Sequence, residues 1–172
     1  MRKSLKILST LIILIPIISF AQESQIYKHP TLDFQFSTTQ GWINIPHSED
    51  KLIYEMMSPD STLHVMLWYS ETEQNSKDYL AKMADMKGLS IIDEESLLRN
   101  INNQKFWMYN VSGYSGKIPI QTLLAVCSYG KSEIHPKENR LFIIQIWCQK
   151  EIYPHKKTIF EEILNSVQIK DK

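Results

Sequence analysis

Ile118-Pro119-Ile120-Gln121-Thr122-Leu123-Leu124-Ala125-Val126-Cys127-Ser128-Tyr129 and Leu141-Phe142-Ile143-Ile144-Gln145-Ile146-Trp147-Cys148-Gln149 are two long β-type runs. Successive side chains of a strand point to opposite faces, so each run divides into two alternating sets. In the first run Ile118, Ile120, Leu124 and Val126 form one set, and Leu123, Ala125 and Cys127 the other. Both sets are apolar. A strand with one wet face alternates apolar with polar, whereas these strands need cover on both sides. Lys105 to Tyr114 precedes them as a third long run, and the connections are short and polar, as in an antiparallel meander. Helices are the available cover. The expected class is α+β, a largely antiparallel β-sheet packed between helices.

Two segments supply those helices. Ser76 can cap the first, Asp78 suits the positive end of its dipole, and Tyr79, Leu80, Met83 and Met86 follow at helical spacing before Gly88. The second begins near Pro154 and carries Ile159, Phe160, Ile163, Leu164 and Val167. Shorter strands are expected at Phe34 to Phe36, Trp42 to Ile45, Leu52 to Met57, Leu63 to Tyr69 and Ser90 to Leu97, with Gly41, Pro46 and Pro59-Asp60-Ser61 as turn formers.

The N-terminus reads as a leader. Arg2, Lys3 and Lys6 precede an apolar stretch from Ile7 to Ile18, and Ser19-Phe20-Ala21 puts small residues at the −3 and −1 positions of a cut before Gln22. This is the layout of a cleaved signal peptide, residues 1–21. A membrane anchor needs about 20 apolar residues, and Pro16 interrupts a shorter run. Residues 22–172 then form a single domain, exported to the periplasm or outside the cell, soluble, with no integral membrane span after cleavage. Gln22 in place of cysteine excludes a lipoprotein. The leader's three basic residues leave 16 Lys+Arg against 19 Asp+Glu, a net of −3. No basic run is longer than Lys156-Lys157, which argues against nucleic acid as a partner.

Leu32-Asp33-Phe34-Gln35-Phe36, then Gly41-Trp42, a helix, a long meander and the terminal Ile159-Phe160-Glu161-Glu162-Ile163-Leu164-Asn165-Ser166-Val167 together resemble the PsbP-like proteins, including bacterial exported members of unknown function. The resemblance runs over nearly all of residues 22–172 and implies an antiparallel sheet between helices. It brings no shared active site, and it implies work by docking to other proteins.

The residues themselves point to little chemistry. His29, His47, His64, His135 and His155 form no H-x-x-x-H, and no Cys-x-x-Cys accompanies them, so no metal or other cofactor is expected. Gly113-Tyr114-Ser115-Gly116-Lys117 lacks the spacing of a nucleophile elbow or phosphate loop and reads as a turn between strands. Asp93-Glu94-Glu95 and Glu161-Glu162 are neighbours that point apart, poor acid–base partners. Cys127 and Cys148 form a candidate disulfide. A hairpin closed by Pro136-Lys137-Glu138-Asn139 pairs His135 with Arg140 and sets the two cysteines face to face. A loop beginning at Gly130 breaks that register and leaves two core thiols.

Trp68, Trp107 and Trp147 are candidate binding aromatics, with core packing as the plainer account. The expected role is a non-enzymatic binding or interaction module for a protein or an apolar ligand of the cell envelope. The alternative is a small secreted hydrolase whose catalytic residues are dispersed over loops.

Overall fold

A computed structural model describes residues 24–29, 34–48, 50–92 and 97–169; the leader, residues 1–21, lies outside them. In chain order the elements are β1 (Ser24–Lys28), β2 (Phe34–Thr39), β3 (Ile43–Asn44), β4 (Leu52–Met57), β5 (Leu63–Thr72), α1 (Ser76–Met86), β6 (Ser90–Ile91), β7 (Leu97–Ile101), β8 (Gln104–Ser115), β9 (Ile118–Lys131), β10 (Asn139–Gln149), a 3-10 turn (Lys150–Ile152), α2 (Tyr153–Ser166) and β11 (Gln168–Ile169). Every described pairing is antiparallel. The main sheet runs β3-β4-β5-β10-β9-β8-β6, with β7 also on β8, and a three-stranded sheet runs β1-β2-β11.

The central strands β9 and β10 are covered on both faces, as their two apolar sets require. On one face, Leu80 and Ala84 of α1 meet Tyr109, Val111, Leu124, Val126, Leu141 and Ile143. On the other, Phe160, Ile163 and Leu164 of α2, together with Phe34 and Phe36 of β2, close over Phe106, Leu123, Ala125, Phe142, Ile144 and Ile146. The small sheet and α2 thus share one side of the main sheet, while α1 has the other to itself. Gly41, at φ +90°, makes the turn that seats the indole of Trp42 in the core.

The ends of α1 show how local sequence sets its length. Asn75, not Ser76, is the N-cap: its side chain accepts from the Asp78 N–H at 2.9 Å and donates to the Asp78 carboxylate at 2.7 Å. At the other end Gly88 is left-handed (φ +62°), its N–H bonds to Asp85 O, and that of Leu89 to Ala84 O. These are the paired bonds that close a Schellman motif.

The hairpin between β9 and β10 corrects the expected cysteine pairing. Phe142 stands opposite Cys127, and Gln121 opposite Cys148. Six positions separate Phe142 from Cys148, roughly 20 Å of strand, against a limit of about 7 Å between Cα atoms for a disulfide. Both cysteines are buried thiols. The cause is the loop. β9 ends at Lys131, with Gly130 at φ +122°, and Ser132 nucleates a seven-residue connection rather than a four-residue turn. The Ser132 N–H bonds to Glu138 O, and its hydroxyl accepts the N–H groups of Ile134 and His135.

Three elements were not expected from the sequence: β1, β11 and β7, which forms a hairpin with β8; of the strand expected over Ser90 to Leu97, the described residues hold β6 (Ser90–Ile91) and the first residue of β7, with residues 93–96 outside them. In that hairpin Ile101 pairs with Gln104 across Asn102-Asn103, both at positive φ (48° and 69°). Asparagine tolerates that conformation better than other side chains. The Asn102 amide also donates to Asn165 O at 2.9 Å and Val167 O at 2.7 Å, satisfying carbonyls at the end of α2.

Candidate functional site

Leu80 and Ala84 occupy only part of the apolar surface of α1. Tyr79, Met83 and Met86 continue it along the flank that faces Trp68 of β5, with Tyr79 and Met83 partly buried against the same cluster. Met86 is 75% exposed. Between this flank and the segment leading into β4 lies a cleft of about 890 Å³. Trp68 and Ser70 of β5 form its floor, Tyr79, Lys82, Met83, Met86 and Lys87 one wall, and Ser48, Asp50 and Lys51 the other. The second wall is tied to the floor by the bond from the Tyr69 N–H to Lys51 O.

The register explains why Trp68 lies there. Trp107 pairs with Val126, Val126 with Ile143 and Ile143 with Trp68, so two indoles flank a pair of residues buried under α1. The helix straddles that pair. Lys77 lies 5.0 Å from the ring centre of Trp107 on one flank, and Lys87 lies 4.8 Å from that of Trp68 on the other. Both are cation–π distances. The Trp68 Nε1–H is buried and has no hydrogen-bond partner among the described residues. Trp147 lies on the same face but outside the cleft, stacked on the His64 imidazole with ring centres 4.0 Å apart. Burial lowers the pKa of His64 and favours the neutral ring.

Of the residues singled out in the sequence, Trp68, Trp107 and Trp147 therefore share the α1 face, and only Trp68 enters the cleft. Cys127 and Cys148 point into the opposite core. Burial pushes the Cys148 thiol up to about 11, which leaves it protonated and unreactive at neutral pH. The sequence marks Tyr79, Met83 and Met86 only as the packing face of the first helix, and it does not mark Lys82 and Lys87. The signal for more than packing was present: Tyr79, Met83 and Met86 at i, i+4 and i+7 beside Leu80 and Ala84 make a stripe wider than one sheet contact consumes.

A polar cluster sits beside the cleft on the other side of β5. The Tyr69 hydroxyl donates to the Glu71 carboxylate, and the Ser132 hydroxyl donates to its second oxygen at 2.7 Å. These two bonds hold Glu71 below the usual carboxylate range, so it is an acceptor committed to the loop. Burial pushes Tyr129 up to about 12, with the Arg140 guanidinium 4.9 Å from its ring centre opposing the shift. Among the described residues no three His, Cys, Asp or Glu side chains converge as a metal site, and no helix is long and apolar enough to cross a membrane.

No protein-family model matches this chain, and no curated protein matches it significantly. Solved structures do. Cyanobacterial PsbP from Synechocystis sp. PCC 6803 superposes with a TM-score of 0.61 at 12% identity, over 87% of this chain and 94% of that one. LpqN of Mycobacterium tuberculosis, described as involved in cell envelope biogenesis, gives 0.62 at 8% identity, over 86% and 90%. A protein from Bacteroides thetaiotaomicron gives 0.56 at 10% identity, over 86% of this chain and 48% of that one. The chain has the PsbP-like α+β fold.

Proposed function

We propose that this PsbP-like domain is a non-enzymatic binding module, exported to the cell envelope, that takes an apolar group in the α1 cleft. The observation that carries the reading is the cleft itself. Its size suits a small ligand or a pair of side chains, and it sets Trp68, Tyr79, Met83 and Met86 around one concavity. Methionine and tryptophan side chains adapt to apolar guests and are enriched at recognition surfaces. The most polar group nearby, Glu71, is engaged by Tyr69 and Ser132. Ser132 is engaged in turn by the loop amides, so this pair is built for structure rather than acyl transfer. Export is supported by the composition of residues 1–21. The envelope setting is supported by the likeness to LpqN, a protein involved in cell envelope biogenesis.

The test is a titration with N-phenyl-1-naphthylamine, a neutral apolar fluorophore, against the wild-type chain and Met83→Asp. Saturable binding by the wild type that drops at least about tenfold in the variant supports the cleft. Equal fluorescence with both proteins places binding elsewhere and sinks the reading.

A further inference from the structure

The sheet face that carries α1 continues past the helix toward β4, and there it bears a set of metal-ligating side chains separate from the cleft. The register places them. Met57 of β4 stands opposite His64 of β5, Glu55 opposite Met66, and His64 in turn opposite Trp147 of β10. Residues directly opposite share a face, as do residues two apart on one strand, so Met57, His64, Met66 and Glu55 point the same way. Met56, Val65 and Leu67, which alternate with them, point into the core under α2. Among the described residues Met57 and Met66 pack into neither core cluster, and both are half-buried. Their thioethers are therefore open to another use.

Opposite side chains start about 5 Å apart at Cβ, and residues two apart on a strand about 7 Å. Methionine has three rotatable bonds, so two sulfurs can close on one imidazole from these positions. His64 is the fixed member of the set. Its ring lies flat on Trp147, with centres 4.0 Å apart and planes 8° from parallel. Its Nδ1 is buried, which leaves Nε2 as the ligating atom.

We propose that Met57, Met66 and His64 form a binding site for a soft monovalent cation, Cu(I) or Ag(I). Thioether sulfur is a soft, uncharged donor that suits Cu(I), whereas Zn(II) takes thiolate, imidazole and carboxylate, most often four ligands together. Two thioethers and one imidazole give the monovalent ion three neutral donors. Glu55, opposite Met66, supplies one negative charge to balance it. One imidazole and one carboxylate fall short of a divalent zinc site.

The experiment titrates the purified chain with silver nitrate in chloride-free buffer, and with Cu(I) anaerobically in competition with bathocuproine disulfonate. Tryptophan emission follows binding, and methionine methyl resonances locate it. The variants are Met57→Leu/Met66→Leu, which keeps side-chain volume and removes both sulfurs, and Met86→Leu, an exposed methionine outside the set. Circular dichroism checks that each is folded. The wild type is expected to bind one ion per chain, to shift the Met57 and Met66 methyls, and to hold the ion against excess Zn(II). The double variant is expected to bind at least about a hundredfold more weakly, since loss of a mere outer-shell partner already costs a metal site 10–100-fold. Met86→Leu is expected to bind as the wild type does. Cys127 and Cys148 remain in every variant, so undiminished binding by the double variant would assign the ion to the thiols and overturn the proposal. Displacement by Zn(II), an equal loss in Met86→Leu, or no binding by the wild type would overturn it as well.

Discussion

Leu80 is the residue through which α1, and with it one wall of the cleft, is held to the sheet. It is fully buried among Val111, Leu124, Val126 and their neighbours. Leu80→Ala removes three carbons, about 2.4 kcal/mol of transfer free energy at about 0.8 kcal/mol per carbon. Partial collapse of the space left behind adds to this, and the expected total is about 3 kcal/mol. Met86→Ala, on the same helix but 75% exposed, is the control and is expected to cost less than about 0.5 kcal/mol. The two substitutions have similar helix propensity, so their difference isolates docking. Urea unfolding followed by circular dichroism gives the measurement. With a slope of about 2 kcal/mol/M, Leu80→Ala lowers the midpoint by about 1.5 M while Met86→Ala barely moves it. A loss below about 1 kcal/mol for Leu80→Ala, or equal losses for both variants, would show that α1 is not seated on the sheet through this side chain.

Other measurements test other parts of the structure. Thiol titration of the unreduced, denatured chain is expected to find two reactive thiols, because the β9–β10 register holds Cys127 and Cys148 apart; none would mean that the register is wrong. Asn102→Ala is expected to cost about 2 kcal/mol in unfolding free energy, combining a left-handed backbone with loss of the bonds to Asn165 O and Val167 O, whereas Asn103→Gly is expected to be neutral or stabilising. In an ultraviolet pH titration Tyr129 is expected to ionise only near 12 and Tyr69 higher still, both held back first by burial. Because the unfolded chain ionises near 10, their contribution to stability is full below pH 10 and is lost as the pH rises toward 12. Asp60 behaves in the opposite sense. Lys156 Nζ at 2.7 Å, with the Ser58 and Thr62 hydroxyls, lowers its pKa, so its contribution is present above about pH 4 and fades as the pH falls; Asp60→Asn should flatten the acid limb of a stability curve.

The layering of the fold was legible because it follows from hydrophobic pattern. Strands apolar on both sets demand two covers, and the stripes of α1 and α2 are long enough to provide them. The strand register was not legible, for a related reason. Sliding β10 past β9 by six residues is an even shift, which returns every side chain to the same face. Hydrophobic pattern is blind to it, and the choice falls to the loop, where one hydroxyl, that of Ser132, gathers two amides. β1 and β11 escaped notice because tertiary pairing, more than local pattern, makes them strands. Trp68 was identified as a candidate among the tryptophans; what the sequence did not disclose was which of them α1 would leave uncovered.

The small sheet also constrains the order in which this protein can be finished. β2 is held by β1 on one side and by β11 on the other, where Phe34 pairs with Ile169 and Gln35 with Gln168. A contact spanning 133 residues, such as the one between the Gln35 and Gln168 amides, closes late and at a high entropic cost. β2 therefore waits for residues made more than 130 positions after it, and Phe34 and Phe36 lack their final cover until Ile169 is in place.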